Sequence, residues 1–511
     1  MILTSLFMCK TAMTTERSAV PKGSGHLPDK EQAECVSRQK DVRIIDICKR
    51  FLSVQHMIKA DRVVGPIPPS RDVYKRTLDV AWPSAVETVL ISLIGAVDSM
   101  MVGGIGPEAI AAVGLTNQPK FVFLALIMSL NVGVTAIIAR RTGERDYQGA
   151  NRCLRQSILL SVIISLVMTF LAMYFAVPIM EFAGAQADTI QDATDYFRII
   201  MMSLFFQSVG LTINAAQRGA GNTKISMTTN LAANGVNIVF NYLLINGIAF
   251  FPRLEVRGAA VATSLGNCVA FLIAVRTLLR KDGFLHINLK QDWRFDRKTV
   301  GGLFKFSSSA FVEQMCMRVG FFAYAKIVAG LGTMAFATHQ ICMNIINLSF
   351  SFGDGFSIAA TSLVGQNLGA KRPDMAEIYA KASQRFAFGV SSVLFFLFIF
   401  GRRFFIGLFT TDAAIIELGA SILIIIACTT HAQTTGVIMA GCLRGAGDTR
   451  FVALTSLISI LFVRTAVSWV LCYPLQLGLI GAWLGLLLDQ FTRMIINSIR
   501  FASGKWTKIK V

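Results

Sequence analysis

Arg218-Gly219-Ala220-Gly221-Asn222-Thr223-Lys224 returns 226 residues later as Arg444-Gly445-Ala446-Gly447-Asp448-Thr449-Arg450. The same offset carries Glu87 to Glu313, Gly106 to Gly332, Gly143 to Gly369 and Gln207 to Gln433. Gly258-Ala259-Ala260 reappears as Gly481-Ala482-Trp483, where the offset has slipped to 223. One unit is therefore written twice with its register almost kept. A duplicated membrane domain, with its site between the halves, is the usual plan of a secondary transporter.

Composition places the repeat in a bilayer. The chain is 54% hydrophobic and only 15% charged, against about a quarter charged in soluble domains. Stretches 157–173, 225–250 and 390–400 carry no charge. A run of about 20 apolar residues crosses the hydrocarbon core as a helix, because lipid offers the backbone no hydrogen bonds. The runs are too uniformly apolar for the alternation of a barrel strand. Hydropathy predicts about twelve spans, near 79–103, 119–139, 154–178, 199–217, 227–248, 258–278, 304–330, 343–365, 384–408, 419–441, 452–474 and 478–498. The fold class expected is all-α integral membrane. An even count of six per half gives both copies one orientation, related by a pseudo-two-fold axis along the membrane normal. The expected organisation is a polar tail at 1–75, an N-lobe at 76–279, a linker at 280–303, a C-lobe at 304–499 and a basic tail at 500–511.

A net charge of +19 raises the question of nucleic acid, but the cations sit in alternate loops. They cluster at Arg140, Arg141, Arg145, Arg152 and Arg155, then at Arg276, Arg280, Lys281, Lys290, Arg294, Arg297 and Lys298, then at Lys371, Arg372, Lys381 and Arg385. An intervening loop is acidic, with Glu181, Asp188, Asp192 and Asp195. The positive-inside bias explains this pattern without nucleic acid and puts both termini and the linker on the cytoplasmic side of the plasma (inner) membrane. The first 75 residues are polar, with no signal peptide or span, and read as a flexible tail. Met57 offers an alternative start, which N-terminal sequencing of expressed protein decides. Ten cysteines show no C-x-x-C pair and no His/Cys cluster, so they read as small apolar fillers.

No Walker A pattern occurs, Ser503-Gly504-Lys505-Trp506 being an incomplete approach to one. Nothing resembles a catalytic triad or a metal site, so an enzyme is not expected and no cofactor beyond a coupling ion is called for. Energy would come from an ion gradient or the solute's own. Ionisable residues inside spans are then the functional candidates, because burying them costs several kcal/mol. Glu87 and Asp98 lie 11 residues apart in the first span, about three helical turns and about 16 Å, and so share a face. That face must look into the bundle, where desolvation favours the uncharged acid and suits a group that loads and unloads a proton. The bland alternative makes Asp98 a solvated or capping residue.

Asn234, Asn237 and Asn241 share a face of the fifth span. They either hold Asp98 or complete an oxygen shell for a cation, or they hydrogen-bond between helices. In the second half Glu313 repeats Glu87, but Tyr324 stands where Asp98 would be and Asp354 has Met128 as its mate. Coupling is therefore expected to be asymmetric. Asp354 is either a second site or the neighbour of Arg318, Lys326 or Arg464. Gln207 and Gln433 line a cavity or join helices. His339 and His431 read as core residues, and Asp489 with Arg493 as a structural ion pair. The repeated R-G-A-G-(N/D)-T-(K/R) reads as a tight corner anchored by cations, a phosphate cradle being the weaker alternative.

These residues resemble the multidrug and toxic compound extrusion (MATE) family. The likeness rests on Pro83, Val97-Asp98-Ser99-Met100-Met101-Val102-Gly103, both R-G-A-G turns, the Asn-rich fifth span, Val364-Gly365-Gln366-Asn367-Leu368-Gly369-Ala370 and Gly481-Ala482-Trp483. It covers about 75 to 500. It implies twelve helices in two lobes around a cleft and antiport of amphipathic, cationic small molecules against H+ or Na+ by alternating access. The family's first-span aspartate falls on Asp98, its fifth-span polar pair on Asn237 and Asn241, and its sixth-span threonine on Thr263. Asn241 replaces a second acid, which favours H+ over Na+. The family's seventh-span glutamate falls on Glu313, and Gln433 lies near an acid of the tenth span. The chain looks closer to the bacterial DNA-damage-inducible branch. Asp98, Asn237, Asn241 and Thr263 are thus the expected ion-coupling residues, and Glu87, Gln207, Glu313, Asp354 and Gln433 the expected substrate path. A monomer in contact with lipid is expected. The rival reading is a flippase for lipids or lipid-linked oligosaccharides, which would need a cationic cleft; Arg318, Lys326 and Arg464 are too scattered to make one.

Overall fold

Helix boundaries repeat as faithfully as the sequence. Arg145 and Lys371, mates at the offset of 226, both end helices in the left-handed conformation at φ 57°. The computed structural model describes residues 53–186, 189–248, 251–280, 283–287 and 293–509. Most of the expected tail, 1–52, lies outside the described residues, as do Asp188 and the middle of the linker.

Among the described residues twelve long helices, one of them bent, follow one another. The first lobe holds α1 (Ser70–Gly103), α2 (Pro107–Glu144), α3 (Tyr147–Tyr174), α4, α5 (Thr223–Asn246) and α6 (Glu255–Leu279). Here α4 is a bent pair, Ile190–Met202 and Leu204–Gly219, turning by 46° at Ser203. The second lobe holds α7 (Arg297–Ala329), α8 (Thr333–Gly369), α9 (Pro373–Phe400), α10 (Ala413–Gly445), α11 (Thr449–Cys472) and α12 (Gly478–Ala502). Among the described residues eight helices are apolar and long enough to cross a membrane, or nine with the bent pair. The other three are α5, α7 and α8. They carry the Asn series, the acid and bases of the seventh span, and Asp354.

The R-G-A-G corner is built the same way twice. The first glycine lets α4 press on α2, and its mate lets α10 press on α8: a methyl there would meet the carbonyls of Thr135 and Thr361, themselves mates. The second glycine turns the chain, Gly221 at φ 88° and Gly447 at φ 90°, a backbone that favours glycine.

A pseudo-two-fold axis runs between α2 and α8. Gly143 of α2 abuts the backbone of Gln366, and its mate Gly369 abuts the backbone of Arg140, the mate of Gln366. Such exchanged contacts are what two-fold symmetry imposes on a self-complementary seam. From mid-depth to the basic end, side chains join the lobes. Thr88 donates to Ser351 O at 2.7 Å, the Ser92 and Ser351 hydroxyls meet at 2.6 Å, and Gln366 and Ser362 donate to Gly219 O at 3.0 and 3.2 Å. Helix α11 loosens to π-helical hydrogen bonding over Leu457–Arg464, a distortion frequent at functional positions.

Candidate functional site

α1 and α5 run in the same direction and in fixed register. Asn230 donates to Glu87 at 2.5 Å, and Asn241 donates to Asp98 at 2.7 Å. Both pairs span 143 residues, so the acid face of α1 lies along the amide face of α5, as the spacing predicts. The two acids then differ.

Glu87 is buried at 3% exposure. One oxygen accepts from Arg218 at 3.1 Å, Ser226 at 2.8 Å and Asn230. Glu313 repeats this: Arg444 bonds it at 2.6 Å and Ser456 at 3.3 Å. The corner arginines thus turn inward onto buried glutamates, where the sequence suggested headgroup anchors. Each pair ties the first helix of a lobe to that lobe's R-G-A-G corner.

Asp98 is half-buried and bound by amides instead of a guanidinium. With its amide set to satisfy both neighbours, Asn237 donates to Asp98 at 2.7 Å and accepts from Thr263 Oγ1 at 3.1 Å. Thr263 on α6 therefore orients Asn237, and Asn237 and Asn241 present N–H groups to the carboxylate. The four expected ion-coupling residues come together. Their geometry is that of a cradle for an anion, since an oxygen shell around a cation would need both amides turned over. Asp98 also feels the ammonium of Lys120 on α2, and Tyr196 of α4 feels the Asp98 carboxylate. Sequence reading missed Lys120 because it set the second span at 119–139, which leaves that lysine at a membrane edge. The helix starts at Pro107, which puts Lys120 well inside.

The C-lobe departs at the matching place. Tyr324, the mate of Asp98, is 1% exposed, with the Arg464 guanidinium 5.8 Å from its ring. Arg464 is fully buried and ion-paired to Asp489, which also accepts from Ser459, with Arg493 at 3.4 Å. The expected Asp489–Arg493 pair is present as the weaker arm of a triad.

Beside the triad lies a cavity lined by Glu313, Asp354, Arg444, Gln490, Arg493 and Asn497, among others. Its volume is about 110 Å³, room for a few waters and below the size of small-molecule sites. Asp354 faces this space and feels Arg444 and Arg493. That corrects the expected neighbours: Arg464 is taken by Asp489, and Arg318 lies over the Phe121 ring at 4.6 Å. Gln433 is fully buried with both amide atoms unpartnered, and Gln207 is half-buried on α4. The nine predicted residues therefore divide among an N-lobe cradle, two corner locks, a C-lobe cavity and two isolated glutamines.

Twelve spans, two lobes about a pseudo-dyad and polar sites inside each lobe define a multi-pass membrane transporter. The MatE family model matches residues 83–243 and 309–470, once per half, and the chain belongs to the MatE family. It is 29% identical over 442 residues to a probable multidrug resistance protein NorM of Thermotoga maritima, covering 86% of this chain and 94% of that one. It is 26% identical over 437 residues to the multidrug resistance protein PmpM of Pseudomonas aeruginosa, covering 84% and 91%. A solved outward-facing multidrug resistance MATE family transporter of the MOP superfamily superposes with a TM-score of 0.79 at 23% identity, over 85% of this chain and 97% of that one.

Proposed function

We propose that this transporter exports amphipathic organic cations across the plasma membrane in exchange for H+, with Asp98 as the coupling carboxyl. The Asp98 cradle carries the reading. It is an acid on a membrane-spanning helix, half-buried among N-lobe helices and held by two reorientable amides. Taking up a proton removes the charge that both amides address and makes one carboxyl oxygen a donor, which the unpartnered Oδ1 of Asn241 accepts when that amide re-pairs. Both amides stand on α5, and the change is felt along the α1–α5 seam. A conformational equilibrium moves only as far as a ligand distinguishes its two states, and this re-pairing is such a distinction. The names of the relatives support multidrug substrates for this chain as well.

Orientation follows from charge. The basic end, where the lobes are joined, is cytoplasmic, and both termini with it. On this reading the lobes are closed toward the cytoplasm. The C-lobe cavity with Asp354 completes the substrate path.

Transport of a fluorescent organic cation into inverted vesicles tests the proposal, with a pH gradient and a Na+ gradient imposed separately. Uptake driven by the pH gradient alone is expected. Uptake that needs Na+ and ignores pH would overturn the choice of ion, and no uptake under either gradient would overturn the exchange.

A further inference from the structure

The segment before α1 docks on the opposite lobe. Lys381 of α9 donates to Met57 O at 2.5 Å, Val64 N donates to Asp374 at 3.2 Å and Arg372 donates to Pro66 O at 3.0 Å. Arg62 and Glu377 pair at 3.5 Å. The first turns of α1 continue the contact: Arg385 donates to Tyr74 at 2.7 Å, and the Tyr74 and Phe386 rings meet edge to face at 5.5 Å. Residues 57–69 thus grip α9 of the second lobe while feeding α1 of the first.

The duplication contains this grip. Subtracting 226 from 283–296 gives 57–70, so the strap is the mate of the interlobe linker. The described linker residues dock on α3, the mate of α9. Asn151 donates to Phe284 O at 3.2 Å and accepts from His286 N at 2.9 Å, and Gln156 donates to Arg294 O at 2.8 Å. In each case the segment is held by the lobe opposite to the helix it feeds. One copy could be incidental; two at matched register are part of the unit that was duplicated.

Lobes that tilt apart at the basic end must pull α1 from α9. The strap resists through a buried carboxylate: Asp374 is 1% exposed, bridged by Arg372 at 2.9 Å, and accepts the strap's amide. We propose that residues 57–69 are an interlobe latch, and that their undocking from α9 gates opening of the cytoplasmic end. This rests on the two lobes exchanging access, and it adds the element that holds one of the two states.

Hydrogen–deuterium exchange of the full chain in lipid nanodiscs tests it without any substrate. The readout is exchange at the seam, 138–145 of α2 and 361–369 of α8, which the strap does not touch. Lys381→Met removes the Met57 contact, and Asp374→Asn takes the charge out of the Val64 contact and the Arg372 bridge. Each is expected to speed seam exchange about tenfold, the scale of one or two charge-assisted hydrogen bonds. Faster exchange confined to 57–69, with the seam at the wild-type rate, overturns the proposal. Should Asp374→Asn fail to fold, Lys381→Met is judged alone on the same criterion. Loss of the exchange function itself would appear as absent dye transport with seam exchange still responding to the strap, so the two failures are separable.

Discussion

Arg218 and Glu87 meet at 3.1 Å across 131 residues, and Arg444 and Glu313 meet across the same 131 residues. This pair explains why the corner motif begins with arginine. A glutamate deep in a bilayer is tolerable only with a partner, and the guanidinium supplies several donors in a fixed plane. Removing one member strands the other, at about 3–5 kcal/mol for buried pairs. Glu87→Ala should therefore lower the melting temperature and yield of the purified protein. Glu87→Gln with Arg218→Met should recover most of the loss. A single variant as stable as wild type would show that the pair is not structural.

Asp98 has no such lock, and its substitution should separate folding from transport. Asp98→Asn keeps the shape and the neighbours but not the titration. The expectation is wild-type expression and thermal stability with efflux of ethidium-like dyes abolished in energised vesicles. Dye efflux at the wild-type rate would end the coupling role of this residue.

Asn241 stands where the family resemblance places a second acid. Asn241→Asp would set two carboxylates around one space. Like charges at that distance repel, and a bound cation relieves them. The variant should respond to Na+ more strongly than the native chain, read as dye flux at fixed pH against added NaCl or KCl. Equal responses to the two salts would show that the count of carboxylates does not choose the ion.

The duplication, the spans and the N-lobe cradle were legible because each has a period: 226 residues for the repeat, three helical turns for Glu87 and Asp98, and one helix face for the asparagines. Partnerships were not legible. Nothing in the spacing says that Arg218 turns inward to Glu87, or that Asp354 faces Arg444 and Arg493 and not Arg464. A guanidinium reaches several ångströms in any direction, and its choice depends on how helices remote in sequence are packed. The strap was missed for a related reason. Residues 57–69 are short, mixed in polarity and rich in proline, which reads as a tail, and their mates in the linker share position and not composition. Lys120 was lost to a boundary, since hydropathy finds the apolar centre of a span and misplaces its polar ends.

Gly143 offers the sharpest test of the axis between the lobes. It lies against the backbone of Gln366, where a methyl group could not fit without the seam parting. Backbone cannot swing aside as a flexible side chain does, so the lobes themselves must yield. Gly143→Ala should therefore shift the protein toward the state open at the basic end, and Gly369→Ala should do the same by the exchanged contact with Arg140. The shift can be read as faster exchange of the Ser362 and Gln366 amides. The helices should keep wild-type content by circular dichroism, since alanine is the better helix former. If both variants fold and the seam exchanges at the native rate, the lobes are not packed as closely along this axis as the contacts of Gly143 and Gly369 require.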